Sequence, residues 1–149
     1  MSKAPPPYLQ PGLPAPRPAR DGLDAPCWSA LREERLMLQR CGACQRWQWG
    51  PEWICHRCHS FDMSYQAVEP IGRIFSFERV WHPVHRALVD QGPYIVVLVE
   101  VPSADNVRLV GNLLGDPRQP VPIGADVSGF FEHHTDADPP YTLLQWQLT

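Results

Sequence analysis

From Glu69 to the end of the chain, apolar and polar positions alternate in short runs divided by turn residues, which is the pattern of an all-β unit. Ile71 to Trp81 reads as one long strand whose apolar phase slips once, predicting a β-bulge. Tyr94 to Val101 is almost continuously apolar and is expected at the centre of a sheet. Val107 to Leu114 follows, with Gly111 marking a bend or a close backbone approach. Val127, Gly129 and Phe131 mark a fourth strand. In the fifth, Thr142, Leu144, Trp146 and Leu148 alternate with Gln145 and Gln147. Turns are expected at Gln91-Gly92-Pro93, Ser103 to Asn106, Gly115-Asp116-Pro117 and Asp138-Pro139-Pro140. Five strands led by a long, bent one predict a small Greek-key barrel of the OB type.

Upstream the pattern changes. Asp24 is placed to cap a short helix with Pro26 in its first turn, and Trp28 and Leu31 stand one helical turn apart. Leu36, Leu38 and Arg40 then alternate with Met37 and Gln39, a strand leading into Cys41. Here the chemistry begins. Cys41, Cys44, Cys55 and Cys58 form two C-x2-C knuckles, whose sulfurs can converge on one tetrahedral ion, and thiolates suit Zn2+. A closed site of this kind has no open coordination position, so the metal is expected to staple the fold and the catalytic role to be none. His56 and His59, beside the second knuckle, are expected to face solvent. Trp47, Trp49 and Trp53 lie between the knuckles, and a module this small cannot bury all three alone, so they are expected to pack on the neighbouring domain.

The chain has 149 residues and a formal net charge of −3, with a pI near 6.0. That balance counts against a generic nucleic-acid binder, which needs a basic face. There is no bilayer-length apolar run, so no membrane association is expected, and no secretory layout at the N-terminus. Paired thiols without such a signal predict a reducing, cytoplasmic setting. Pro5, Pro6, Pro7, Pro11, Pro14, Pro16 and Pro18 preclude a helix or central strand at the front. Residues 1–24 are therefore expected as a disordered tail or a partner-binding arm anchored by Tyr8, Leu9 and Leu13. The helix and ribbon are expected over 25–66, and the barrel over 67–149.

Other candidates are weaker. Cys27 has no base that sequence can identify and is expected as a small buried residue. His133, His134, Asp136 and Asp138 precede a Pro-Pro turn and are expected at a solvated hairpin end. His82 and His85 form an HxxH pair in a loop, without matching ligands nearby for a second metal.

The order of short helix, rubredoxin-like zinc ribbon and OB barrel, from about Ala25 onward, resembles the acyl-CoA-associated zinc-ribbon/OB-fold family, formerly a domain of unknown function. The resemblance rests on Leu38-Gln39-Arg40-Cys41, the two knuckles, Gly72 to Phe77, and His82-Pro83 followed by Pro93-Tyr94. It rests also on Val97 to Val101, Arg108 to Leu113, and Val121-Pro122-Ile123-Gly124. It implies a mainly β accessory subunit, not catalytic alone, paired with a thiolase-fold protein in a hetero-oligomer. The partner most resembling the expected one is a lipid-transfer-protein-like aldolase that cleaves a carbon–carbon bond in a sterol side-chain acyl-CoA. Thiolase/synthase and MaoC-type hydratase partners belong to other branches of the same family.

An acyl-CoA ligand needs cations and a flat apolar platform. Simple alternation puts Arg73 and Arg79 on one strand face, toward ligand or partner, with His82 and His85 in the adjoining loop. The competing expectation is a single-stranded nucleic-acid binder with Trp47, Trp49, Trp53 and Trp81 as a stacking platform, against which the acidic balance argues.

Overall fold

A computed structural model describes residues 13–149; Tyr8 and Leu9 lie outside the described residues. The fold is mostly strand with one α-helix, α1 (Ala25–Arg32), among the described residues. None of the helices described is long and apolar enough to cross a membrane. Pro26 sits in the first turn of α1 as expected, but Asp24 does not cap it through its side chain. Its carboxylate accepts instead from the Trp28 indole (3.0 Å) and the Ala19 backbone N–H (2.8 Å). The helix seats through the small residues Cys27 and Ala30, while Trp28 and Leu31 stay half-buried.

Strand β1 (Leu36–Cys41) pairs antiparallel with the two-residue β2 (Trp47–Gln48) and with β3 (Met63–Val68), making a three-stranded ribbon sheet. The Tyr65 hydroxyl donates to the Leu23 carbonyl and ties β3 to the approach of α1.

The five-stranded barrel expected from the sequence is present. Its strands are β4 (Ile71–Val80), β5 (Tyr94–Val101), β6 (Val107–Asn112), β7 (Asp126–His134) and β8 (Tyr141–Leu148). They run antiparallel in the order β6-β5-β4-β7-β8, and a bridge between Leu113 and Trp146 nearly closes the ring. The bulge lies between Ile74 and Ser76, where the β4–β5 register shifts. In β5 burial alternates strictly: Ile95, Val97, Val99 and Val101 are fully buried, and the intervening residues are half-exposed. Gly111 meets the expected close approach, since a Cβ there would stand 2.8 Å from Trp146 Cδ1.

One apolar core serves both parts. Leu36 and Leu38 of β1 and Val68 of β3 join Ile74, Val97, Val127 and Trp146 of the barrel. A second tie comes from His133, whose Nε2 lies 3.0 Å from Glu34 Oε1 just beyond α1.

Candidate metal centre and surrounding surface

Each knuckle is built the same way. The backbone N–H of Gln45 donates to the Cys41 carbonyl (2.9 Å), and that of His59 to the Cys55 carbonyl (3.0 Å). The first cysteine of each pair in turn donates to Arg46 or Ser60, both at 2.9 Å. The residue after each second cysteine is left-handed, Gln45 with φ 61° and His59 with φ 60°. Histidine tolerates that conformation better than most residues, so His59 is a turn residue. It and His56 both face solvent, as expected.

The four Sγ atoms lie within 4.8 Å of one another, with Cys41–Cys58 and Cys44–Cys55 both at 3.6 Å. Four thiolates about 2.3 Å from a tetrahedral zinc stand ~3.8 Å apart, so the donor set fits Zn2+ in size, charge and geometry. Backbone N–H groups of Cys58 and Arg57 pull the Cys55 thiol down to about 6. Against the lowering pull of the Ser60 N–H, burial and the neighbouring sulfurs push the Cys58 thiol up to about 12, as crowded thiols do until a cation neutralises them.

Two buried glutamines, not anticipated from the alternation, brace the connection between the knuckles. Gln39 accepts from the Glu52 N–H (2.9 Å) and from the Gln48 amide (3.1 Å), and donates to the Glu52 carbonyl (3.0 Å). Gln48 accepts from the His56 N–H at 3.0 Å. No local pattern marks them, because they come face to face only once β1 and β2 pair. Trp47 packs on the common core, with Arg40 over its ring at 5.1 Å. Trp49 and Trp53 depart from the expected packing and are exposed, and Trp53 donates to Asp21 (3.0 Å).

The other candidate residues are spread over the barrel. Arg73 pairs with the outward Glu100 and Arg79 with the fully buried Ile95. Directly paired residues share a face, so the bulge puts Arg73 and Arg79 on opposite faces, correcting the single face given by simple alternation. Arg79 donates to the carbonyls of Pro117 (2.9 Å) and Gln119, holding that loop against the end of β4. His82 and His85 are exposed, and His85 Nδ1 accepts from the Ala87 N–H at 3.2 Å. His133 and His134 end β7. His134 Nε2 stands 2.6 Å from the buried Glu132, and its ring stacks on Tyr141 at 4.5 Å. The four cysteines are the one metal-ligating cluster among the described residues.

A cavity of about 430 Å³ opens between α1, β1 and the barrel, lined by Trp28, Leu31, Met37, Val96, Val110 and Leu143, with Cys27 at its helix side. The apolar character of β5 on both faces is explained here, because Tyr94 and Val96 face this groove while their neighbours fill the core. Cys27 is 6 % exposed, and burial pushes its thiol up to about 11. A thiol held protonated in the fold adds stability at neutral pH that is lost as pH rises from the free value, about 8.5, toward the folded one. At pH 8, a thiol reagent is therefore expected to leave Cys27 unmodified in the zinc-loaded chain and to label it after denaturation. Rapid native labelling, read by intact mass, would contradict this burial.

A family model for the ChsH2 rubredoxin-like zinc ribbon domain matches residues 28–64. The fold superimposes on a chain of the Ltp2-ChsH2(DUF35) aldolase with TM-score 0.73 and 33% identity, covering 89% of this chain and 98% of that one. It also superimposes on a DUF35-family protein of unknown function from Sulfolobus solfataricus, with TM-score 0.59 and 13% identity over 96% and 89% of the two chains; that likeness concerns the fold alone. In sequence, the chain is 35% identical over 128 residues to a probable enoyl-CoA hydratase alpha subunit of Thermomonospora curvata. That match covers 86% of this chain, which spans 38% of the length of that curated relative.

Proposed function

Because the chain belongs to the ChsH2 (DUF35) family of zinc-ribbon proteins, we propose that it is the non-catalytic accessory subunit of a thiolase-fold acyl-CoA enzyme. The reaction served would be retro-aldol cleavage of a sterol side-chain acyl-CoA. The partner would supply the acid and base that break the carbon–carbon bond, and this chain would stabilise that partner and help form its acyl-CoA site. The observation that carries this proposal is the superposition over 98% of a chain of an Ltp2-ChsH2 aldolase. The strand order, closed by the Leu113–Trp146 bridge, supports the OB class for the barrel. Uncovered apolar surface supports a subunit role: Trp49, Trp81, Val84 and Val110 are exposed, and the groove beside α1 is open. The match to part of a hydratase alpha subunit favours a second partner class, an acyl-CoA hydratase.

Purification of the tagged, zinc-loaded chain with its co-eluting proteins separates these. A stoichiometric thiolase-fold protein, active on sterol-type acyl-CoA esters only when both chains are present, is the expected result. A hydratase-fold protein in its place selects the second class, and neither protein removes both. Arg73, with its outward face, belongs at the rim of the proposed contact. Arg73→Glu is expected to weaken capture about tenfold, ~1.4 kcal/mol, with unchanged thermal stability. Capture equal to the parent chain would remove Arg73 from the interface. His82 and His85 are proposed to lie near the ligand or the partner with the loop that carries them, and Arg79 to act by fixing the 117–119 loop.

A further inference from the structure

Trp81, at the end of β4, leaves half of its indole in solvent, 51% exposed. Two guanidinium groups stand over the same ring: Arg79 Cζ at 5.8 Å and Arg118 Cζ at 6.0 Å from its centroid. They come from different segments, yet each is fixed. Arg79 is pinned by donation to the Pro117 and Gln119 carbonyls, which also anchors the loop bearing Arg118. The Arg118 backbone N–H donates to Asp116 Oδ1 at 2.8 Å, setting the turn from which its side chain projects. The Gly92 backbone packs closely beside Trp81, since a Cβ there would stand 2.9 Å from the Trp81 carbonyl oxygen. His82, His85 and Arg86 follow Trp81 in the loop it opens. A chain of net charge −3 thus carries, at the end of β4, a half-exposed aromatic ring with two cations beside it.

That pairing suits a planar heterocycle joined to phosphate. The ring stacks on the exposed part of the indole, and Arg118, whose planar fork matches phosphate oxygens, takes the charge. Arg79, whose Nε and Nη2 already donate to the Pro117 and Gln119 carbonyls, adds positive potential beside it. We propose that Trp81, Arg79 and Arg118 seat the phosphorylated adenosine end of coenzyme A. The assignment rests on the acyl-CoA reading above and adds to it the residues that hold the nucleotide. Arg79 belongs to this platform through its place beside the ring, and Arg73, on the opposite strand face, does not.

The test is calorimetric titration of the full zinc-loaded chain with three probes: adenosine 3′,5′-bisphosphate, pantetheine and a short oligoadenylate. Saturable binding of the bisphosphate is expected, with pantetheine at least tenfold weaker. Trp81→Leu and Arg118→Glu should each weaken the bisphosphate at least tenfold, while Arg73→Glu leaves it unchanged. Zinc content and circular dichroism check the fold of each variant. If Trp81→Leu does not fold, Arg118→Gln on the exposed loop carries the same test. No bisphosphate binding by the parent chain, or variants that bind as it does, would overturn the site. Tighter binding of the oligoadenylate, falling steeply with salt, would also overturn it and assign the platform to single-stranded nucleic acid. Partner capture is scored separately: nucleotide binding without any thiolase-fold protein captured leaves the platform standing and removes the accessory role.

Discussion

Stripping the metal, or replacing Cys41 with serine, is expected to unfold the ribbon and lower the melting temperature by at least ~10 °C, on the scale of 2–4 °C per kcal/mol for a chain of this size. The ribbon has little else to hold it. Its sheet includes a strand of only two residues, and all five cysteines are free of disulfides. Structural zinc sites contribute apparent free energies of about 10–16 kcal/mol, comparable with or above the ~5–15 kcal/mol that keeps a whole domain folded. Cys41 and Cys55 are buried, so serine would leave a hydroxyl where a thiolate and its ion belonged. Thermal melts with and without a strong chelator, followed by near-ultraviolet dichroism, check this. An unchanged melt after complete metal removal would show that the four sulfurs are not a structural centre.

Trp146→Ala should be the most costly single change in the barrel, about 3–5 kcal/mol. The indole is fully buried, bridges toward Leu113 where the ring nearly closes, and packs against the bare face of Gly111. Trp146→Phe should cost far less. Among the described residues the Trp146 Nε1 is buried without a hydrogen-bond partner, so phenylalanine removes an unsatisfied donor along with part of the ring. Denaturant midpoints of the two variants decide the matter. Equal losses would mean that a phenyl ring recovers none of the packing and that the barrel needs the whole indole.

The metal centre was fully legible in the sequence because its signal is local: four like residues at fixed spacing need no tertiary information. The barrel strands were legible for a related reason, since a half-buried strand writes its two faces as alternation. β3 escaped notice because Met63–Val68 pairs on one side only, with β1, and buries a single residue, Val68, leaving no strong apolar period. The faces of Arg73 and Arg79 were misread although the bulge between them was foreseen, for one extra residue reverses every side chain beyond it. Gln39 and Gln48 were hidden because alternation assigns polar residues outward, whereas these satisfy buried backbone groups on the inter-knuckle connection. The contact between His133 and Glu34 spans 99 positions, and no local pattern encodes it. The platform around Trp81 was half visible: Trp81 and Arg79 stood out in the sequence, but Arg118 joins them only through the fold.

Leu36, Leu38 and Val68 lie in the same core as the barrel strands, and this constrains how the chain can be recombined. A graft that transplants the ribbon alone, cut between β3 and β4, would expose half of a continuous apolar seam on each piece. Useful chimeras with other members of the family should exchange α1 to β8 together with the approach to α1 as one cassette. Crossovers belong before Ala19, because Asp21, Leu23 and Asp24 bond to Trp53, Tyr65 and Trp28. Homologous exchange inside that span should succeed only when the residues facing Leu38 travel with it.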